Sequence, residues 1–273
     1  MGPSAVSEAA YSVSSTGPSN VTAALEAALL AQWSRDSFEE NSAKMYTYPA
    51  ALKPKAIREL LRLLPQGTLL DPFCGSGSSL REALLSGRHA VGSDASPLAL
   101  FVALHQTLRA DDAYREHMRN AAREAVASTK QKAVSNYKKS WNALVDAVRR
   151  AEATPTINST FFVENSLGQM PTPLWFCLGV AMQRKDMSWF TISNSTKLGA
   201  GDIFLNAVED FCTSMSWLEQ KMPLIDLPAP TLLHGDARDL NTSLLPNART
   251  VDSILTSPPY PGVYDYMATA RLE

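Results

Sequence analysis

Thr68-Leu-Leu-Asp-Pro-Phe-Cys-Gly-Ser-Gly-Ser-Ser79 reads as a short buried strand that enters a tight glycine turn and leaves as a helix. Leu69 and Leu70 supply the apolar strand, and Pro72, with no amide to give to a ladder, ends it. Gly75 and Gly77 let the backbone turn sharply and leave no side chains between it and a ligand. Ser78 and Ser79 suit the start of a helix with Leu80, Ala83 and Leu84 on one face, and Gly87 stops it. A small molecule at such a turn meets free amides at a helix N-terminus. A second apolar strand, His89-Ala-Val-Gly-Ser, leads to Asp94, placed to accept both hydroxyls of a ribose. The dinucleotide fingerprint asks for a third glycine where this chain has Leu80, which favours a nucleoside-like cofactor without phosphates over NAD. A turn with a structural role alone is the competing reading.

Composition narrows the field. The 273 residues, 45% hydrophobic and 19% charged, suffice for one large α/β domain or two small ones. A net charge of −2 provides no general attraction for nucleic acid, so any such binding must be local. Cys74, Cys177 and Cys212 are far apart, without C-x-x-C or paired-histidine spacing. They suggest neither zinc site nor disulfide framework, so no metal is expected and a reducing compartment is. No run approaches the length of a membrane span, and the first twenty residues lack Arg and Lys. The expectation is a cytoplasmic or nuclear protein, not secreted and without membrane attachment, whose first residues form a flexible tail.

Along the chain, residues 1–43 read as that tail plus a helix over about 21–34 opened by Ser19-Asn20. Residues 44–109 read as the first half of an α/β domain. An extended piece ends at Pro49, a helix from Pro54 carries Ile57, Leu60, Leu61 and Leu64, and strand and helix then alternate, the last helix capped by Ser96 with Pro97 behind it. Such alternation predicts a parallel sheet covered by helices. Residues 110–229 read as a mainly helical insert. Its first part forms one long helix or a helical hairpin projecting from the sheet. Arg109, Arg115, Arg119, Arg123, Lys130, Lys132, Lys138, Lys139, Arg149 and Arg150 form either a solvated face or a basic strip for a phosphate backbone. A helix is expected over about 201–221, and the rest of the insert yields no assignment. Residues 230–273 resume the α/β pattern: a strand ends at Gly235-Asp236-Ala237, and Val251–Thr256 is another, running into Ser257-Pro-Pro-Tyr260. Both strands end in polar groups at the carboxyl edge, where open α/β sheets bind ligands.

Pro258 and Pro259 make a rigid loop that lacks two amide donors and keeps its carbonyl acceptors. The Ser257 side chain and the Pro258 carbonyl can accept from the amine of a base, and Tyr260 offers a face on which a flipped base stacks. A base amine is a poor nucleophile because its lone pair is conjugated with the ring. Accepting bonds from both N–H groups favours the pyramidal nitrogen that attacks a methyl group. A Pro-Pro turn that merely ends a strand, with Tyr260 in the core, is the alternative.

Together these segments resemble the class I S-adenosylmethionine-dependent amino-methyltransferases of DNA. Asp71-Pro-Phe-Cys-Gly-Ser-Gly77 is similar to their cofactor loop, Gly92-Ser-Asp94-Ala95 to their ribose-binding turn and Gly235-Asp236-Ala237 to their adenine-binding strand end. Thr256-Ser-Pro-Pro-Tyr260 resembles their catalytic loop, in the serine-first form of the N4-cytosine enzymes, and Tyr48-Pro49-Ala50 the segment lining the methionine end.

The resemblance implies a Rossmann-like fold with a mostly parallel sheet, and S-adenosylmethionine as cofactor, held by Tyr48, Asp71, Pro72, Phe73, Gly75, Gly77, Asp94, Ala95, Asp236 and Ala237. Asp71 would meet the ammonium, Asp94 the ribose and Asp236 the adenine amine. Ser257, Pro258, Pro259 and Tyr260 would be catalytic, acting on a flipped DNA base, most simply cytosine N4. An RNA base amine such as guanine N2, or an inactive cofactor-binding module, are the other expectations. Cys74 has no Pro-Cys context and is not expected to be a covalent nucleophile. In the resembled family a helix, a further strand and a terminal hairpin follow the catalytic loop, whereas this sequence ends at Glu273, so a C-terminally truncated domain lacking its terminal strands is expected.

Overall fold

The computed structural model describes residues 15–33, 45–48, 51–130, 137–152, 172–185, 199–222, 227–240 and 251–259. Four strands, β1 (Thr68–Asp71), β2 (His89–Asp94), β3 (Thr231–His234) and β4 (Ser253–Ile254), form a parallel sheet in the order β3-β2-β1-β4. Together with its covering helices, the sheet makes the expected Rossmann-like α/β fold. Sheet order places consecutive β1, β2 and β3 side by side, then returns the chain to the opposite side of β1. The switch point of the topology therefore lies between β1 and β4.

Side chains alternate across the sheet. Leu69, Ala90 and Leu232 join one buried cluster, which includes Ile57, Leu80, Leu84 and Leu100 from the covering helices. Leu70, Val91 and Leu233, each one residue further along, meet on the other face with Leu240 and Val251. β4 is shorter than the stretch 251–256 anticipated from its apolar residues. Its main chain nevertheless tracks β1 beyond the strand proper: Asp252 N–H donates to Thr68 O (3.0 Å) and Leu255 N–H to Leu70 O (3.2 Å).

The helices nearest the sheet start and stop where their local chemistry directs. α1 (Ser19–Trp33) packs on α2 (Pro54–Leu61), whose first residue is the anticipated proline. α3 (Ser78–Leu85) follows the glycine turn, and α4 (Pro97–Gln106) is capped by the Ser96 hydroxyl, which accepts from Ala99 N–H (3.3 Å). The start of α3 differs in detail from its sequence reading. Gly77 is the N-cap, and Ser79 donates its hydroxyl to Asp71 instead of capping the helix.

Four further helices form a second layer: α5 (Asp112–Lys130), α6 (Tyr137–Glu152), α7 (Pro173–Lys185) and α8 (Ala200–Lys221). This layer does not project from the sheet. Met118, Val126, Trp141, Leu144, Leu174, Phe176, Phe204 and Phe211 share one core with Val102 of α4 and with Tyr46. His105 of α4 stacks on Phe176 of α7 with centroids 4.9 Å apart and planes 5° from parallel. Its Nδ1 lies 2.7 Å from Phe101 O; a carbonyl only accepts, so Nδ1 carries the proton. Burial in this apolar setting lowers the His105 pKa to about 4.

Part of the basic residue run is engaged by this packing, and part pairs within its own helix. Arg115, buried, pairs with Glu219 of α8 (2.7 Å) and with Asp112 (2.6 Å). Arg119 meets both carboxylate oxygens of Glu209 (2.8 and 2.9 Å). Arg123 pairs with Glu116, Arg149 with Asp146, and Arg109 donates to Leu227 O. Lys132 lies outside the described residues. No helix among the described residues is long and apolar enough to cross a membrane.

Candidate active site

The carboxyl ends of all four strands open on one cavity of about 620 Å³, within the range of small-molecule sites. β1 contributes Asp71, Pro72, Phe73 and Gly75; β2 contributes Asp94 and Ala95; β3 contributes Asp236 and Ala237; β4 contributes Ser257 and Pro259. Tyr48 closes the wall from the segment before α2. Residues 48 to 259, scattered through the sequence, thus line one chamber. Gly77 and Pro258 do not line it, and Tyr260, Pro49 and Ala50 lie outside the described residues.

The glycine turn is built for close approach. Gly75 adopts φ +48°, and a Cβ there would lie 3.2 Å from the Tyr48 ring. Gly77, at φ +80°, has a different neighbour: a Cβ would come within 2.8 Å of Ala103 Cβ on α4. Its smallness lets the turn pack on a helix. Phe73, by contrast, is exposed at the cavity wall.

The acids differ sharply. Asp71 is buried; one oxygen accepts from Phe73 N–H (3.1 Å) and from the Thr256 hydroxyl (2.7 Å), the other from the Ser79 hydroxyl. Burial raises its pKa, the donors oppose that shift, and nearby Asp94 adds to it. Half-buried Asp94 accepts from Gly75 N–H (3.0 Å) and Ser96 N–H (2.8 Å), tying the ends of β1 and β2 together. Its pKa is raised as well, by desolvation first. Asp236 sits at the rim, ion-paired with Arg238, which holds its carboxyl at about 2. Each carboxylate oxygen has two lone pairs, so these bonds leave Asp71 one acceptor site, on Oδ2, and leave Asp94 further acceptor capacity.

Cys74 lines the cavity as a buried thiol whose pKa desolvation raises further, then Asp94 and Asp71, the opposite of an activated nucleophile. Among the described residues no group of His, Cys, Asp and Glu is disposed to hold a metal ion.

The sequence did not single out Leu52, Ile57 or Leu255 as cavity-lining, and it placed Ser76, Ser96 and Thr256 within the site's turns and loops without giving them a role there. Thr256 carried a usable signal, since it directly precedes Ser257 at the end of an apolar strand. Leu52 and Ile57 belong to an ordinary amphipathic helix and its approach, and nothing in their spacing distinguishes them from core.

Comparison with known proteins agrees with this geometry. Residues 42–159 match the model of a family described as UPF0020, RMKL-like, methyltransferase domain. The matched segment contains the glycine turn, Asp71 and Asp94. The chain is also similar to the type II methyltransferase M.MvaI of Kocuria varians, with 34% identity over 74 residues. That alignment covers 25% of this chain and 16% of the relative, so the chain spans a small part of the relative's length. No solved structure matches. These likenesses support a methyltransferase domain, and methyl transfer as its general chemistry.

Proposed function

We propose that this protein transfers the methyl group of S-adenosylmethionine to an exocyclic amino nitrogen of a base in DNA, with cytosine N4 as the acceptor. The observation that carries the reading is the shared cavity: the glycine turn and two raised-pKa carboxylates face the Ser257 loop across a single chamber.

The cavity's residues fit the cofactor. Asp94 suits the ribose hydroxyls, which would donate to its remaining lone pairs. The carboxylate of Asp71 suits the positive charge of the methionine end. Asp236 and Ala237 suit the adenine amine, and the exposed ring of Phe73 gives the base an apolar wall. The absence of a Cβ at Gly75, with Tyr48 across from it, leaves a slot where backbone approaches ligand closely. When bound, the cofactor supplies an electrophilic methyl group activated by the adjacent sulfonium. Everything else falls to the chain: Ser257 and the carbonyls of the Pro-Pro loop accept from the base amine, orient its lone pair and displace water from it. The transfer balances without a metal or a covalent enzyme intermediate: the nitrogen–carbon bond forms as the sulfur–methyl bond breaks, the sulfonium leaves as a neutral thioether, and the nitrogen releases one proton to solvent water.

An RNA base amine is the nearest competing acceptor. The serine at 257 favours DNA, because the resembled enzymes that begin this loop with serine act on cytosine N4. Full-length protein incubated with methyl-labelled cofactor and a mixture of DNA and RNA separates the two. Label in DNA is expected, and label confined to RNA would overturn the choice of acceptor. Ser257→Ala is expected to lower transfer about tenfold or more while leaving cofactor affinity within about threefold.

A further inference from the structure

Beyond Leu255 the main-chain ladder between β4 and β1 gives way to a side-chain bond. Thr256, the next residue, donates its hydroxyl to Asp71 Oδ1 at 2.7 Å, and Ser79, from the first turn of α3, donates to Oδ2 of the same carboxylate. Asp71 is 3% exposed. Hydroxyl, carboxylate and hydroxyl therefore bridge three elements: the end of β4, the end of β1 and the start of α3. Hydrogen bonds to an ionised acceptor are the strong kind, and burial protects this pair from water. Further along, Pro258 and Pro259 have no amide to donate. Thr256 thus ties the chain to Asp71 immediately before Ser257.

We propose that Thr256 is a positioning residue: its bond to Asp71 fixes the distance between the Ser257 loop and the glycine turn, and so aligns the methyl acceptor with the methyl donor. This rests on the methyl-transfer reading. The tie crosses the β1–β4 switch point, the crevice in which the two substrates of such a reaction would meet. The same carboxylate holds Phe73 N–H at 3.1 Å, so one group sets both the cofactor turn and the acceptor loop. Alignment at a reacting centre is steep, with about a hundredfold in rate lost for roughly 1 Å of misplacement. Cofactor affinity is less exposed to the change, because Ser79 and Phe73 N–H still hold Asp71 when Thr256 is altered.

Thr256→Val keeps the shape and removes the donor, and Thr256→Ser restores it. Three measurements on the full chain read the result: amide exchange at Thr256 and Ser257, calorimetric titration with S-adenosylmethionine, and label transfer to mixed-sequence DNA. Thr256→Val is expected to exchange at these amides about tenfold faster or more and to turn over about a hundredfold more slowly. Its cofactor affinity should stay within about threefold of the parent, and Thr256→Ser should recover both losses. Exchange and turnover unchanged in Thr256→Val, or a serine variant no better than the valine, would overturn the proposal. If the parent binds cofactor but labels no DNA, the reading of the acceptor fails while the exchange arm still decides the bridge. Should Thr256→Val not fold, Ser79→Ala removes the second hydroxyl on the same carboxylate, and unchanged exchange at Ser257 in that variant would count against the bridge.

Discussion

Asp94 performs two tasks with one carboxylate. It accepts from the amides of Gly75 and Ser96, fixing the turns after β1 and β2, and it faces the cavity where a ribose would sit. Asp94→Ala is therefore expected to weaken S-adenosylmethionine binding about a hundredfold or more, with Asp94→Asn intermediate, as read by calorimetry. Gly77 is constrained by its neighbour. Gly77→Ala puts a methyl at positive φ and 2.8 Å from Ala103 Cβ, and is expected to cost about 2–4 kcal/mol in urea unfolding. Adding Ala103→Gly should recover little, because Ala103 Cα would still lie 2.9 Å from the new methyl and the positive φ would remain; full recovery would contradict this packing. His105 has a third consequence. Its pKa is lowered to about 4 from an ordinary 6.5, so between those values the unfolded chain binds the extra proton. Its contribution is complete above about pH 6.5 and is lost as pH falls toward 4, amounting to about 3 kcal/mol. His105→Phe should flatten the pH dependence of stability across that window.

At the scale of elements, what could be read in advance was what is encoded locally. Pro72, Gly87 and the Ser96-Pro97 pair punctuate the chain with residues whose own stereochemistry ends or starts a helix or strand, and the elements around the cavity follow them. α7 was missed for a physical reason: Leu174-Trp-Phe-Cys-Leu-Gly-Val-Ala is apolar nearly all round, as suits a helix buried between others, so no stripe betrays its period. The basic residues of α5 were visible but not their partners, since Glu209 and Glu219 come from α8, far along the sequence. That pairing predicts unequal costs. Arg115→Ala removes a buried guanidinium bonded to two acids and is expected to cost about 2–3 kcal/mol. Arg119→Ala, on a more open pair with Glu209, is expected to cost under about 1 kcal/mol. Equal losses in denaturant unfolding would contradict this assignment of the two sites.

For the whole molecule, the arrangement follows from one topological fact. A parallel sheet whose order reverses at β1 gathers four strand ends on one edge, and the chain places an acid or an acceptor at each: Asp71, Asp94, Asp236 and Ser257. Each was legible as a candidate, because each ends an apolar run in polar residues. Their mutual bonds were not: the contact between Asp71 and Thr256 spans 185 positions, and no local pattern encodes it. The helical layer docks on α4 through His105 and Phe101, giving the sheet a second core that holds Tyr46 and packs against Tyr48, which lines the cavity wall. Whether this architecture serves methyl transfer to a base amine is decided by the nucleoside that carries the label. Full-length protein, methyl-labelled S-adenosylmethionine and DNA are incubated, and the DNA is digested to nucleosides for mass analysis. The account predicts label in N4-methylcytosine; label in C5-methylcytosine, or none in DNA, would contradict it.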